Sequence, residues 1–486
     1  MQLNSCDLLI TNATVVIPKI GIVQTGIMIE DGKIKALRKS VDNVQASKKI
    51  NANGKYVLPG VIDPHVHYGV YTPIDAAAQT ESRSAAVGGV TTMIRMLRMY
   101  ESYRNIGNQI KASKGNHHID YSIHASILKL DQLKDISYLK SIGINSIKVY
   151  MNLGADLNHI FMDLQPGSYD IIEGQVNMTD ELFSSIIEET SKVHSTVLVH
   201  AENPTVCSEL IRKRKEQERN HGLEATRLKT WSDCRPPSSE AESIVKAANL
   251  AKGFGSNLYF VHIGSNSALN AILAEKEKTC SNMYIETCPH YLTHTTDFES
   301  LTGKVVPPLR SQEDVQGLWL ALRNGRIDTV GTDHVANTLS MKMDDGDIWS
   351  VLAGFPGIAT MLPVLLSKGV NEGRISMERL SEVTSYNTAR IFGMYPKKGT
   401  IQQGSDADLT IVDLQLEQKV TPDLLQSYSD YTIYDKWIMQ GWPVLTMVRG
   451  EVIMQDGQVN SDTLGHGEFI NRPHTDEDYD YDSAFQ

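Results

Sequence analysis

Cysteine is scarce in this sequence, and its placement suggests no covalent framework. The five cysteines (Cys6, Cys207, Cys234, Cys280 and Cys288) are odd in number, widely scattered and free of any C-x-x-C pair. That pattern argues against both a disulfide scaffold and a structural zinc knuckle. Long apolar runs are missing too, with no stretch near the ~18 uninterrupted apolar residues of a membrane span. Residues 1–20 lack the basic head and apolar segment of a secretory leader. Positive charge is in deficit, 46 Lys and Arg against 58 Asp and Glu, for a net charge of −12. A polyanionic partner such as nucleic acid is disfavoured by that balance, although a small anion can still be held in a local pocket. These absences predict a cytoplasmic protein in a reducing setting, with no nucleic-acid partner and no membrane partner.

What the chain does have is length and two distinct rhythms. Its 486 residues give room for several domains, or for a barrel of ~250 residues beside a smaller unit. The N-terminal segments "DLLITNATVVIP" and "GIVQTGIMIEDGKIKALR" read as short strands joined by tight turns. The same character returns in "DADLTIVDL" and "PVLTMVRGEVIMQDGQV". The two ends therefore predict one small β-sandwich domain, contributed by residues 1–57 and 393–460. Between them, over residues 58–392, strand-like and helical segments alternate. The strand candidates are "YVLPGVIDPHVH", "VTTMIRML", "DYSIHASIL", "SIKVYM", "STVLVHAE", "NLYFVHIG", "MYIETCPHYL" and "IDTVGTDHV". Amphipathic stretches at 179–194 and 238–254, each opened by an N-cap residue, supply two of the intervening helices. Eight strands alternating with helices is the count of a (β/α)8 TIM barrel. Residues 461–486 are acidic and polar and predict a loose tail or edge arm.

The first chemical signal is "VIDPHVHYG" at 61–69, where His65 and His67 are two residues apart at the end of an apolar run. In a strand such positions share a face, so the two imidazoles project together, a natural start to a metal site. Alone, the pair reads better as a turn cap beside a hydrogen-bonded surface histidine. Other strands add to it. Lys148 lies inside the apolar run "SIKVYM", His200 ends "TVLVH", His262 ends "LYFVH", and Asp333 follows "DTVGT". Barrel active sites are built from C-terminal strand ends. Five strands bringing ligating groups to one mouth are poorly explained as separate backbone-bonded histidines and a snorkelling lysine.

These motifs resemble the binuclear-metal branch of the amidohydrolase superfamily, whose cyclic-amide hydrolases include dihydropyrimidinases (hydantoinases), dihydroorotases and allantoinases. The resemblance runs through "PGVIDPHVH" (59–67), "ETCPHYL" (286–292), "PPLR" (307–310), "GTDH" (331–334), "GFPGIATMLPVLL" (354–366) and "NTARIFGMYPKKGTIQQGSDADLTIVD" (387–413). It implies two divalent ions, usually zinc. His65, His67 and Asp333 would hold one, His200 and His262 the other, with Lys148 bridging both as an N-carboxylated side chain. A carbamate offers two anionic oxygens where an ammonium offers no lone pair, and an apolar strand leaves free amine to capture carbon dioxide. The resemblance further implies hydrolytic opening of a cyclic amide by an activated water, with Asp333 taking the water's proton and passing it to the leaving nitrogen. It also implies a homodimer or homotetramer.

The substrate pocket departs from the family pattern. Hydantoinases carry a tyrosine five residues after the bridging lysine, a serine before "PPLR" and an asparagine before the Gly of their "GxPG" loop. Here those positions are Leu153, Val306 and Ala353. Tyr150 lies nearby but is expected to face differently. Dihydroorotases show an arginine two residues after the HxH pair, where this chain has Gly69, and an asparagine at the position of Arg98. Arg98 is expected at the mouth, either clasping a substrate carboxylate or pairing with Glu101 on the rim. A dihydroorotase- or allantoinase-like hydrolase of an acidic or ureido ring is thus an alternative. A catalytically inactive scaffold is disfavoured because no ligand is lost. A mononuclear deaminase is disfavoured because that branch lacks the strand-4 lysine.

Overall fold

Ser5–Ile17 is the hub of a sheet made by the two ends of the chain. It pairs antiparallel with Gly21–Glu30 and, along its two halves, parallel with Gln45–Asn51 and Tyr56–Pro59. Tyr56–Pro59 pairs in turn with Leu409–Lys419, and the sheet continues through Ile438–Val448, Glu451–Gln455 and Gln458–Val459. Its inward residues, among them Leu8, Ile10, Ile27, Leu409 and Met447, share one apolar core. The period-2 alternation of these segments is what buries one face of each strand. This computed structural model describes residues 5–222, 227–278, 282–343 and 346–472.

At Gly60 the chain leaves that sheet for the barrel. A Cβ at residue 60 would lie 2.8 Å from Thr91 Cβ, so only glycine lets the Thr91 side chain sit so close to this backbone. Seven parallel strands follow in sequence order: Val61–His67, Val90–Leu97, Asp120–Ser126, Ser146–Tyr150, Thr196–His200, Leu258–Phe260 and Met283–Thr287. The first two are buried at every position, which is why they read as apolar runs rather than alternations. Each of the eight segments assigned to strands from sequence carries a barrel strand.

The eighth strand is not continuous. Thr329–Val330 pairs with the seventh strand, and His334–Val335 pairs with the first, closing the ring. Gly331, Thr332 and Asp333 leave the ladder between them. Asp63 captures this break, its Oδ1 accepting the Thr332 N–H at 3.1 Å and its Oδ2 the Thr332 hydroxyl at 2.6 Å.

Of the two helices expected from amphipathic patterning, Asp180–Lys192 is capped by Thr179, whose Oγ1 accepts the Leu182 N–H. The other, Pro237–Phe254, has no side-chain cap and starts on a proline instead, whose missing N–H costs nothing at a first helical position. The loose tail expected at 461–486 is anchored at its start. Fully buried Arg472 donates to Ser122 Oγ, Asn145 Oδ1 and Ser146 Oγ at 2.7, 2.9 and 3.0 Å, and Phe469 bridges to Tyr121. Residues 473–486 and Cys280 lie outside the described residues. The other four cysteines are buried and unbridged. Among the described residues no helix is long and apolar enough to cross a membrane.

Candidate active site at the barrel mouth

His65 and His67 emerge together from the first strand, and the broken eighth strand brings Asp333 to them. His65 Nε2, His67 Nε2 and Asp333 Oδ1 stand 3.2 Å apart along each edge. A tetrahedral ion with bonds of ~2.0–2.1 Å has ligand edges of roughly 3.3 Å, so this triangle fits one divalent ion. Asp333 reaches its place at φ +50, in the left-handed region that non-glycine residues seldom adopt. Gly331 permits the approach, since a Cβ there would sit 2.7 Å from Glu286 Oε2 and 3.1 Å from His65 Cβ.

His262 and His200 continue the cluster. The His65 and His262 rings are 5.4 Å apart, and those of His262 and His200 4.5 Å. His262 also has a left-handed backbone, φ +44. Its Nδ1 is buried without a hydrogen-bond partner among the described residues. Burial holds the imidazoles of His65, His67, His200 and His262 below their ordinary value, His65 at about 3. They are therefore neutral at physiological pH, the form that ligates metal.

Lys148 completes the set from the fourth strand, pairing across the ladder with Leu198 and Ser126. It is buried, and its Nζ has no partner among the described residues. Burial pulls the amine down to about 8. An unpaired buried ammonium is costly, whereas a group shared between cations is not, so the residue fits a metal bridge.

Three carboxylates that sequence reasoning missed orient these groups. Glu286 Oε1 accepts His65 Nδ1–H at 2.8 Å and the His262 N–H at 2.9 Å. His65 thereby presents Nε2 to the triangle. Glu202 Oε2 bonds His200 Nε2 at 2.7 Å and also takes Arg235 Nη1 at 2.9 Å, which leaves His200 Nδ1 for the mouth. Asp63 is the third, through the strand break. Glu286 and Glu202 sit inside strand-end motifs, but nothing in those motifs says which histidine each one faces.

One cavity of about 360 Å³ contains His65, His67, Lys148, His200, His262 and Asp333, and also Arg98, Leu153, Val306 and Ala353. All ten residues singled out from sequence thus meet at a single site. Two expectations change. Tyr150 was expected to face elsewhere but lines this cavity, its ring 5.2 Å from Lys148 Nζ. Residues two apart in a strand share a face, and that parity was legible. Arg98 pairs not with Glu101 but with Asp163, Nε to Oδ2 at 3.8 Å, because the loop after the fourth strand folds over the second.

A parallel barrel that gathers strand-end histidines, a buried lysine and an aspartate around one cavity defines a metal-dependent hydrolase. The chain belongs to the amidohydrolase family, whose sequence profile matches residues 171–453. It is 33% identical over 475 residues to the L-hydantoinase of Paenarthrobacter aurescens, covering 93% of this chain and 95% of that protein. With the D-hydantoinase of Ralstonia pickettii it shares 30% identity over 483 residues, 96% of this chain and 99% of that protein. The solved L-hydantoinase (dihydropyrimidinase) of Arthrobacter aurescens superposes with a TM-score of 0.86 at 32% identity, covering 96% of this chain and all of that one (100%). The dihydropyrimidinase of Brevibacillus agri NCHU1002 gives 0.83 at 28% identity, over 96% and 98% of the two chains.

Proposed function

We propose that this protein is a metal-dependent hydrolase that opens a cyclic amide at a binuclear site in the barrel mouth. The observation that carries this reading is the 3.2 Å triangle of His65, His67 and Asp333 on the same cavity as the unpartnered Lys148 amine. Its relatives named as hydantoinases, aligned over nearly the whole chain, support the cyclic-amide class. Two divalent ions, zinc first among them, held by His65, His67 and Asp333 and by His200 and His262 with N-carboxylated Lys148 shared, would supply Lewis-acid polarisation and an acidified water.

The chain's own groups do the rest. The Lys148 amine adds to carbon dioxide and releases a proton, turning an unpaired base into a two-oxygen anion. Asp333, which lines the cavity, accepts the proton of the attacking water and returns it to the leaving ring nitrogen. Leu153, Val306 and Ala353 present no polar side-chain group to the ring, so the backbone of that wall, Arg98 and other polar lining residues such as Tyr150 and Asn152 are left to set selectivity.

A second reading is favoured by Arg98 itself. Its side chain lines the cavity, is paired only at 3.8 Å, and makes no side-chain hydrogen bond among the described residues. A guanidinium in a substrate cavity, held only by that one long ion pair, suits a ring that bears a carboxylate.

The test joins metal analysis to ring-opening assays on hydantoins, dihydropyrimidines, allantoin, carboxylated hydantoins and cyclic imides. The expected result is near two ions per chain and turnover of at least one ring. Near zero ions supports an inactive scaffold, and near one a mononuclear deaminase; either overturns the proposal.

A further inference from the structure

Two separate chain segments form one wall of the cavity, Val305 and Val306 on one side and Leu352, Ala353 and Gly354 on the other. The Gly354 N–H donates to the Lys304 carbonyl at 3.0 Å and Lys304 Nζ to the Val351 carbonyl, and one further buried atom touches both segments at once. Lys342, which ends the short helix Leu339–Lys342, is fully buried. Its Nζ donates to the carbonyls of Lys304, Leu352 and Gly354 at 3.0, 2.7 and 2.7 Å. An ammonium has three N–H groups, and all three are used on carbonyls one residue away from Val305 or Ala353. No carboxylate pairs with Lys342 among the described residues. Besides the three carbonyls its Nζ lies over the Phe355 ring, 5.7 Å from the centroid. These contacts hold the amine against burial and the nearby Lys304, which lower its pKa.

The result lies in what the tie leaves free. The backbone N–H and C=O groups of Val306 and Ala353 make no hydrogen bond among the described residues. Unpaired backbone groups on a cavity wall are ready partners for a ligand's polar edge. A cyclic amide presents N–H and C=O together in one plane, and neither Val306 nor Ala353 has a polar side chain to offer it. Recognition then depends on the spacing of two backbone segments, which the Lys342 amine helps to set together with the Gly354–Lys304 backbone bond.

We propose that Lys342 is a positioning residue that holds the Val306 and Ala353 backbones at the separation needed to grip the amide edge of the ring. The inference rests on the cyclic-amide reading above. Tetrahedral N–H geometry explains why a lysine does this. Three carbonyls converging on one point need one atom with three diverging donors, which the planar arginine fork does not supply.

The test compares holoenzyme carrying Lys342→Met or Lys342→Arg with the parent on whichever ring the parent opens best. Metal content, kcat and KM are read separately. Lys342→Met, close in length but without donors, is expected to keep its metals and most of its kcat while KM rises at least about tenfold. Lys342→Arg should rise less. KM within about twofold of the parent overturns the proposal, and so does a parallel loss of metal and kcat, which marks a general structural role. If Lys342→Met does not fold, the same split in Lys342→Arg decides.

A parent that holds two metals yet opens no ring sinks the cyclic-amide reading instead. The tie is then read by hydrogen exchange. The bonded amides of Lys304, Leu352 and Gly354 should exchange faster together in Lys342→Met or Lys342→Arg while the barrel strands stay protected, and parental protection there overturns it.

Discussion

The guanidinium of Arg95 occupies the space into which a side chain at Gly69 would grow. A Cβ at residue 69 would lie 2.9 Å from Arg95 Cζ and 3.3 Å from its Nε, on a backbone at φ +93. Arg95 is buried there and bonds Asp163 Oδ1 through Nε at 3.0 Å and Gln109 through Nη1 at 3.2 Å. Asp163 Oδ2 in turn accepts the Arg98 N–H at 2.7 Å. Where dihydroorotases place an arginine at this position, this chain keeps glycine and brings a guanidinium in from the second strand. Gly69→Ala should therefore strain the backbone and displace Arg95, at a cost of about 1–3 kcal/mol. Urea unfolding measures it, and a variant of parental stability would show that the loop yields freely.

Arg98→Met separates the two substrate readings. With a carboxylate-bearing hydantoin, KM should rise sharply, since an unpaired desolvated carboxylate costs roughly 2–5 kcal/mol, while metal content stays intact. With a neutral hydantoin the same variant should change little. Equal kinetics on both rings would place Arg98 with the scaffold beside Asp163.

Lys148→Ala should lose most of its bound metal and its activity, because the proposed bridge between the two ions goes with the side chain. Added acetate or propionate should restore part of both by supplying a free carboxylate. An alanine variant with two metals and parental turnover would refute the bridging role.

Asp333→Asn keeps the shape of the carboxylate but cannot carry the proton. The fold should survive, judged by circular dichroism. Turnover should drop by more than the ~10²–10⁴ of acid–base help alone, because a ligand is weakened as well. Retention of a tenth of the parental rate would assign proton transfer elsewhere.

Acid stability of the metal-stripped protein follows from its buried imidazoles. Burial holds His65, His117 and His290 at about 3 and His294 at about 4, and also lowers His67, His124, His200 and His262. A base whose folded value is depressed gives stability that is full above its unfolded value, ~6.5. That stability is lost as pH falls from there towards the folded value. Each can contribute up to about 1.4 kcal/mol per pH unit within that window. Asp63, Glu240 and Glu286, raised by burial to about 7, 7 and 8, act in the opposite sense but are fewer. The urea midpoint should fall between pH 6.5 and 4.5, a window set by these shifts. A flat profile would mean that the imidazoles protonate inside the fold.

The sequence by itself determined the barrel and the set of groups at its mouth. Strand and helix periods are local properties, and His65, His67, Lys148, His200, His262 and Asp333 each lie in or beside a strand whose parity and end can be read within a few residues. Leu153, Val306 and Ala353 were legible as departures for the same reason. Tertiary structure decided the partners. His65 meets Glu286 across 221 residues of chain, Asp63 seizes Thr332 only once the eighth strand closes on the first, and Arg98 finds Asp163 because a later loop folds over the second strand. The arm as far as Arg472 read as a loose tail because its acceptors, Ser122, Asn145 and Ser146, lie in or just before two distant strands. A hydrogen-bond partner is chosen by which strands barrel closure brings side by side, and no local period encodes that choice.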